Sequence, residues 1–251
     1  MVKSNSISSV KKVLISKKTS KKYYVKDLDE EFITSEGIIS SKDLNSKKEE
    51  VISSKSKIFY LLDPKFPDLF DKLHRAPQLV SAKDIGLIIT KTGVNKNSTV
   101  VDAGAGSGSL SLALANICKQ VTCYDINKQH LEVVKKNKDF FGADNLTIKG
   151  GDVAKNLVEK NLDLITLDLP HPWEVIEKAE QSLKRGGFLV IYLPNLIQMK
   201  RFFDTARKNR SLKYLETTEL IERQWKFEDN IMRPETRMVG HTGFISFYRK
   251  L

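Results

Sequence analysis

Long hydrophobic runs are missing from this 251-residue chain. No apolar stretch approaches the roughly 20 residues that a membrane-crossing helix needs. The opening Met-Val-Lys-Ser-Asn-Ser also lacks the apolar centre of a secretory signal, so a soluble chain in the cytoplasm, without membrane contact, is the expectation. Cysteine is scarce. Cys118 and Cys123 flank a helix-to-strand turn without metal-ligand spacing, so they read as buried structural thiols, and no metal site is expected. Arginine is absent from the first sixty residues, where Lys11, Lys12, Lys17, Lys18, Lys21 and Lys22 supply the charge. Arg201, Arg207, Arg210, Arg223, Arg233 and Arg237 cluster in the last third. Acidic residues are outnumbered, 31 against 42 basic, for a formal charge of +11. An excess of that size draws a polyanion, with RNA, DNA and an anionic membrane all candidates. No internal repeat is visible.

Two regions differ in texture. Residues 1–62 hold short β-branched or aromatic segments, Lys22–Lys26, Phe32–Thr34, Gly37–Ile39 and Lys57–Leu61, separated by Ser, Gly and charged residues. They predict a small β-rich domain. Asp63-Pro64-Lys65-Phe66-Pro67 breaks regular structure, and residues 63–251 form the second domain. From Thr99 onward strands and helices alternate: strands are expected at Thr99–Asp102, Gln120–Tyr124, Leu146–Lys149, Leu162–Asp168 and Phe188–Leu193, and helices at Ser81–Lys91, which precedes the first of these strands, Lys128–Phe141, Trp173–Lys184 and Leu196–Lys208. Gly186-Gly187 reads as the stop after the third of these helices. The alternation predicts an α/β fold with a doubly wound, mostly parallel sheet whose ligand sites lie at the carboxyl ends of the strands. Leu212–Phe227 and Thr242–Tyr248 read as strands with no helix between them, predicting an antiparallel closing pair.

The richest stretch is Thr99-Val-Val-Asp-Ala-Gly-Ala-Gly-Ser-Gly-Ser109. Glycines at 104, 106 and 108 let the backbone turn sharply and let a ligand approach it, while free N–H groups at the start of the next helix would face that ligand. The dinucleotide fingerprint is G-x-G-x-x-G, made for a pyrophosphate. The spacing here is G-x-G-x-G with Asp102 two residues ahead, which suits S-adenosylmethionine, a ligand with an ammonium and no phosphate. Asp125 closes the next strand about twenty residues on, where a carboxylate can accept from both ribose hydroxyls.

Four acids, Asp102, Asp125, Asp152 and Asp168, fall at carboxyl ends of successive strands. Ligand contacts explain acids there more economically than packing does, although capping of the following helix is a live alternative, for Asp152 above all. Asp152 would accept from the adenine amino group, with Val153 packed on the ring. Asp168-Leu-Pro170-His-Pro172-Trp173 places two prolines after a buried strand, a rigid loop that can present a flat base to an acid.

Taken together, Gly104–Ser109, Asp168-Leu-Pro-His-Pro-Trp-Glu174, Tyr192-Leu-Pro-Asn195 with Gln198, Arg233-Pro234, Gly240-His-Thr-Gly-Phe244 and His74-Arg-Ala-Pro-Gln78 before Lys83-Asp84 resemble the tRNA (adenine-N1)-methyltransferase family. The similarity runs through residues 20–250. It implies a class I S-adenosylmethionine-dependent methyltransferase fold, Rossmann-like, acting on adenine 58 of the tRNA T-loop, with position 57 as a further target in archaeal members, and a homotetramer. It implies that Ser107, Gly108, Ser109, Asp125, His130, Asp152, Val153 and Asp168 hold the cofactor with Gly104 and Gly106, and that Val80 closes one side. Asp168 is the expected catalytic residue, and Gln78, Pro170, Trp173, Arg233 and His241 are the expected substrate contacts. His130 stands where the family usually has arginine, and Ser81-Ala82 where it commonly has Tyr-Pro. His171 and His241 read as loop or packing histidines rather than bases. The rival readings are a methyltransferase of another nucleobase or a small amine, a catalytically silent tRNA-binding subunit on the same fold, and an NAD-dependent enzyme. The last is disfavoured by the glycine spacing.

Overall fold

The structure, a computed structural model, describes residues 9–74, 79–228 and 230–251. The chain divides into two compact units, one of residues 1–74 with 136–142 and the other of residues 75–135 with 143–251. No helix among the described residues is long and apolar enough to cross a membrane.

The first unit contains β1 (Lys12–Ser16), β2 (Lys22–Val25), β3 (Phe32–Thr34), β4 (Gly37–Ile39), α1 (Ser41–Leu44), β5 (Glu50–Ile52), β6 (Ile58–Leu62) and α2 (Phe66–Phe70). Four strands pair antiparallel in the order β2-β1-β6-β5, and β3 pairs with β4. Side chains alternate across β6, so Phe59 and Leu61 point inward to meet Leu14, Val25, Ile39, Leu44 and Val51. The inner strand β1 is not among the segments that the sequence singles out. Its apolar Val13-Leu14-Ile15 stands between the lysine pairs Lys11-Lys12 and Lys17-Lys18, which mask the pattern.

The second unit follows as α3 (Ala82–Thr92), β7 (Thr99–Ala103), α4 (Ser109–Ala115), β8 (Gln120–Asp125), α5 (Lys128–Phe141, its last residues counted with the first unit), β9 (Leu146–Gly150), α6 (Val153–Asn156), β10 (Leu162–Leu167), a 3₁₀ turn at Pro172–Val175, α7 (Ile176–Ser182), β11 (Leu183–Leu193), α8 (Leu196–Ala206), β12 (Leu212–Glu219), β13 (Trp225–Glu228), β14 (Ile231–Pro234) and β15 (Phe244–Lys250). Seven strands form one sheet in the order β12-β15-β11-β10-β7-β8-β9. The five from β9 to β11 are parallel, whereas β15 runs antiparallel to both β11 and β12. This is the doubly wound sheet with an antiparallel closing pair that the sequence predicts. Helices cover both faces of the inner strands, and β7, β8 and β10 accordingly bury nearly every residue.

Two expectations are corrected. Gly186-Gly187 does not end a helix: α7 stops at Ser182 and the glycines lie within β11, where its pairing with β10 shifts register. A Cβ on Gly187 would lie 2.8 Å from the Leu162 carbonyl oxygen, so close approach to β10 is what requires glycine there. The single strand expected over Leu212–Phe227 is two, because β12 ends at Glu219 and β13 pairs with β14 in a separate hairpin.

Candidate active site

Strand order reverses beside β7, the first strand of the sheet, which is flanked by β8 on one side and β10 on the other. A cavity of about 880 Å³ opens at the carboxyl ends of these strands. The loop after β7 forms its floor. Gly104 has φ +84°, and a Cβ there would sit 1.9 Å from the Asp168 carbonyl oxygen, so the loops after β7 and β10 can meet only through a glycine. Gly106 and Gly108 also have positive φ. The loop's N–H groups are largely spoken for: Gly104 and Ala105 donate to the Tyr124 carbonyl, Gly106 to Asp125 and Gly108 to the Ala105 carbonyl. Four N–H groups of the loop are thus engaged within the fold, at Gly104, Ala105, Gly106 and Gly108.

Asp125, buried at the end of β8, accepts from Gly106 N at 2.9 Å and Asn127 N at 2.8 Å, and His130 Nδ1 lies 3.1 Å from its Oδ2. A carboxylate offers about four acceptor positions, so capacity remains for a ligand hydroxyl. Asp102 is turned inward instead. Thr166 Oγ1 donates to its Oδ1 at 2.6 Å and Ser111 Oγ donates to Oδ2, tying α4 and β10 to β7. Complete burial pushes its pKa up to about 6, against the pull of those two hydroxyls. Asp152 caps α6 by accepting from Ala154 N at 3.0 Å, and it also lines the cavity, so both sequence readings hold at once. None of the described residues donates a hydrogen bond to the Asp168 carboxylate. Burial first, then the negative charges of Asp102 and Asp125, push its pKa up to about 7.

The electrostatics of the lining settle which ligand chemistry fits. Asp102, Asp125, Asp152, Asp168 and Glu174 contribute to the wall, and no described lysine or arginine does, in a chain with an excess of eleven positive charges. A pyrophosphate would meet repulsion here, whereas a cationic ligand carrying hydroxyls and a flat ring finds partners. The cavity and its donor set fit S-adenosylmethionine.

Of the residues expected at the site, Val80, Gly104, Gly106, Ser109, Asp125, His130, Asp152, Val153, Asp168 and Pro170 all line the cavity. Ser107 and Gly108 lie in the same turn, outside its wall. Trp173 follows the cavity loop but packs against the core of this unit, with the Arg201 guanidinium 3.9 Å from its ring centre. Arg233 is on the exposed hairpin and donates to Thr236 Oγ1 at 3.0 Å. His241 has both ring nitrogens engaged, 2.6 Å from Glu219 Oε1 and 2.8 Å from the Pro194 carbonyl. Those two acceptors, Glu219 foremost, raise its pKa above the ordinary imidazole value. Gln78 lies outside the described residues.

The sequence reading misses Tyr124, Ile126, Asn127, Leu169 and Glu174 in the wall, although Ile126-Asn127 adjoin Asp125 and could have been found as strand-end neighbours, and His171, read as a loop or packing histidine, lines the cavity as well. It also misses what Asp84 does. This fully buried carboxylate accepts from Ser81 Oγ at 2.9 Å, Lys83 Nζ at 2.8 Å, Thr242 Oγ1 at 2.7 Å and Tyr192 OH at 3.1 Å. It pins the His241-Thr242-Gly243 segment to the start of α3, and Gly243 packs so closely on Tyr192 that a Cβ would lie 2.7 Å from the ring.

Comparison with known proteins agrees with this chemistry. The family described as tRNA methyltransferase complex GCD14 subunit matches residues 57–232. The chain is 34% identical to the tRNA (adenine(57)-N(1)/adenine(58)-N(1))-methyltransferase TrmI of Methanocaldococcus jannaschii, over 91% of each protein. It is 31% identical to the tRNA (adenine(58)-N(1))-methyltransferase TrmI of Thermus thermophilus, over 67% of this chain and 68% of that one. Among solved structures, a SAM-dependent O-methyltransferase from Thermotoga maritima superposes with a TM-score of 0.82 at 26% identity, covering 97% of this chain and 94% of the other. The tRNA (m1A58) methyltransferase TrmI of Aquifex aeolicus shares the fold, with a TM-score of 0.79 at 23% identity over 98% of this chain and 99% of the other.

Proposed function

The chain belongs to the tRNA methyltransferase complex GCD14 subunit family, and on that footing we propose that it transfers a methyl group from S-adenosylmethionine to N1 of adenine 58 in the T-loop of tRNA, with adenine 57 as a second target. The observation that carries this reading is the acid-lined cavity in which, among the described residues, the Asp168 carboxylate beside the glycine loop has no donor. Bound there, S-adenosylmethionine supplies a methyl group on a sulfonium. Gly104, Gly106, Ser109 and Val153 would form its bed, with Ser107 and Gly108 in the turn behind, Asp125 and His130 would take its ribose, Asp152 its adenine, and Val80 would close one side.

N1 of adenine is itself the nucleophile, so the chain has to align the base and exclude water rather than form a covalent intermediate. The base must leave its stack, at a cost of about a few kcal/mol. Asp168 then accepts from the N6 amino group and orients the ring. Methylation leaves the ring cationic unless N6 loses a proton, and a carboxylate whose pKa is held at about 7 is matched to receive that proton. Gln78, Pro170, Trp173, Arg233 and His241 are the residues we assign to tRNA contact. A cytoplasmic homotetramer is part of the same reading, as is a division into a β-rich part, 1–62, and a catalytic part, 63–251. The exposed Trp225, Phe227, Ile231 and Met232 of the β13–β14 hairpin support an assembly, because apolar patches of that kind mark interfaces.

Mass spectrometry of tRNA incubated with the protein and labelled S-adenosylmethionine tests the proposal. It should find 1-methyladenosine at position 58, and label on an oxygen, on another base or nowhere would reject it. Asp125→Ala should weaken cofactor binding by about 1.5–3 kcal/mol, the worth of a hydrogen bond to a charged group. Titration calorimetry on the folded variant checks this, and unchanged affinity would remove Asp125 from the cofactor site.

A further inference from the structure

We propose that Gln198 is a positioning residue for this reaction: its side-chain amide, oriented by Asn195, holds the Pro170 carbonyl and thereby the loop that carries Asp168. The proposal rests on the role assigned to Asp168 above.

The Asp168 carboxylate has no hydrogen-bond donor of its own among the described residues, so its place in the cavity depends on how its backbone is held. Among the described residues, three attachments hold the backbone from Asp168 to Pro170. Asp168 N donates to the Ala103 carbonyl at 2.8 Å, which continues the sheet. The Asp168 carbonyl lies against Gly104, in the space a Cβ would fill. Beyond these the loop leaves the sheet, and Gln198 Nε2 donates to the Pro170 carbonyl at 3.1 Å. Pro170 has no N–H to offer, so its carbonyl is the one backbone hydrogen-bonding group at that residue.

Gln198 is itself set in place. Asn195 caps α8 by accepting from Gln198 N at 2.9 Å, and its Nδ2 donates to Gln198 Oε1 at 2.6 Å. With Oε1 occupied, the Nε2 end is turned toward Pro170. One turn further along the same helix face, Arg201 lies over the Trp173 ring, so α8 grips the loop at both Pro170 and Trp173. The contact is specific to an amide: a carboxylate in the same place would set a negative oxygen against the carbonyl.

The test uses the full-length protein with Gln198→Glu, which keeps the shape and loses the donor, and Asn195→Asp, which keeps the cap and loses the bond that orients Gln198. Displacing the loop by a fraction of an ångström should lower kcat by about 10–100-fold in Gln198→Glu. The KM for tRNA and the Kd for S-adenosylmethionine should stay within about twofold. Asn195→Asp should move kcat in the same direction by less, with the melting temperature of both variants close to the parent's. A residue that merely supports the helix would lower the melting temperature and leave kcat alone. Parent-like kcat in Gln198→Glu beside an inactive Asp168→Ala overturns this proposal alone, as does a raised KM with kcat intact, which would make Gln198 a direct tRNA contact. Full activity in Asp168→Ala overturns the Asp168 assignment and this proposal with it. If Gln198→Glu does not fold, Asn195→Asp decides by the same readouts.

Discussion

Asp168→Ala should lose turnover by about 10²–10⁴-fold, the usual contribution of a placed acid–base group, with tRNA affinity nearly unchanged. The carboxylate stands at the end of β10, in the cavity wall, with a pKa pushed up to about 7 by burial and by the charges of Asp102 and Asp125. Among the described residues no hydrogen bond to this carboxylate would be lost. Removing it therefore takes away an acceptor for the adenine N6 edge without undoing a contact within the fold. tRNA binding should rest on phosphate contacts spread over a basic surface and should survive. Cofactor affinity should fall modestly, since one negative charge leaves the cavity. Single-turnover methylation alongside filter binding separates these effects. A variant that forms 1-methyladenosine at near the parent rate would show that another group orients the base.

Gly104→Ala should damage fold and site together. The residue has φ +84°, a conformation that costs an L-residue with a Cβ about 1–2 kcal/mol. The new methyl would also lie 1.9 Å from the Asp168 carbonyl oxygen, so the loops after β7 and β10 would have to separate. The combined cost should exceed about 3 kcal/mol, in the range reserved for clashes with no soft partner. Gly108→Ala provides the control. Its φ is +81°, but the nearest atom is a methyl of Val134 at 3.2 Å, a side chain able to yield, so only the backbone cost of about 1–2 kcal/mol should appear. Chemical denaturation ranks the two, and equal losses would contradict the close approach of the two loops.

Much of the second unit is readable locally. Buried parallel strands need apolar residues on both faces, so β7, β8 and β10 stand out as short segments rich in apolar and β-branched residues, and the acids at their ends are candidates for the site by position alone. Asp125 and Asp168 were legible for that reason. Asp102, in the same kind of position, instead binds hydroxyls from α4 and β10, and nothing in a strand-end acid says whether its carboxylate points outward or back. Contacts that close over long separations leave no local trace. Asp84 meets Thr242 across 158 residues and Tyr192 across 108. Gln198 meets Pro170 across 28, although each lies in a motif visible by itself. Gly186-Gly187 was misread for a related reason, since glycine after a helix and glycine pressed against a neighbouring strand look alike until the strand is in place.

The crowding of carboxylates in one cavity makes ligand loading a proton-linked event. Asp168 is raised from 3.8 to about 7 in the folded chain, so the folded state holds a proton there that the unfolded chain has already released. Stability from this group is therefore greatest below pH 4 and declines as pH rises toward about 7, above which the full cost of an ionised Asp168 is present. A cation seated beside Asp125 and Asp168 relieves that cost only where the Asp168 carboxylate is ionised. S-adenosylmethionine should accordingly raise the melting temperature more at pH 8 than at pH 5, measured at equal ligand excess. Equal shifts at the two pH values would mean that the ligand's charge is compensated elsewhere. A larger shift at pH 8 would mean that the cofactor takes over, near neutrality, the part that a proton on Asp168 plays at low pH.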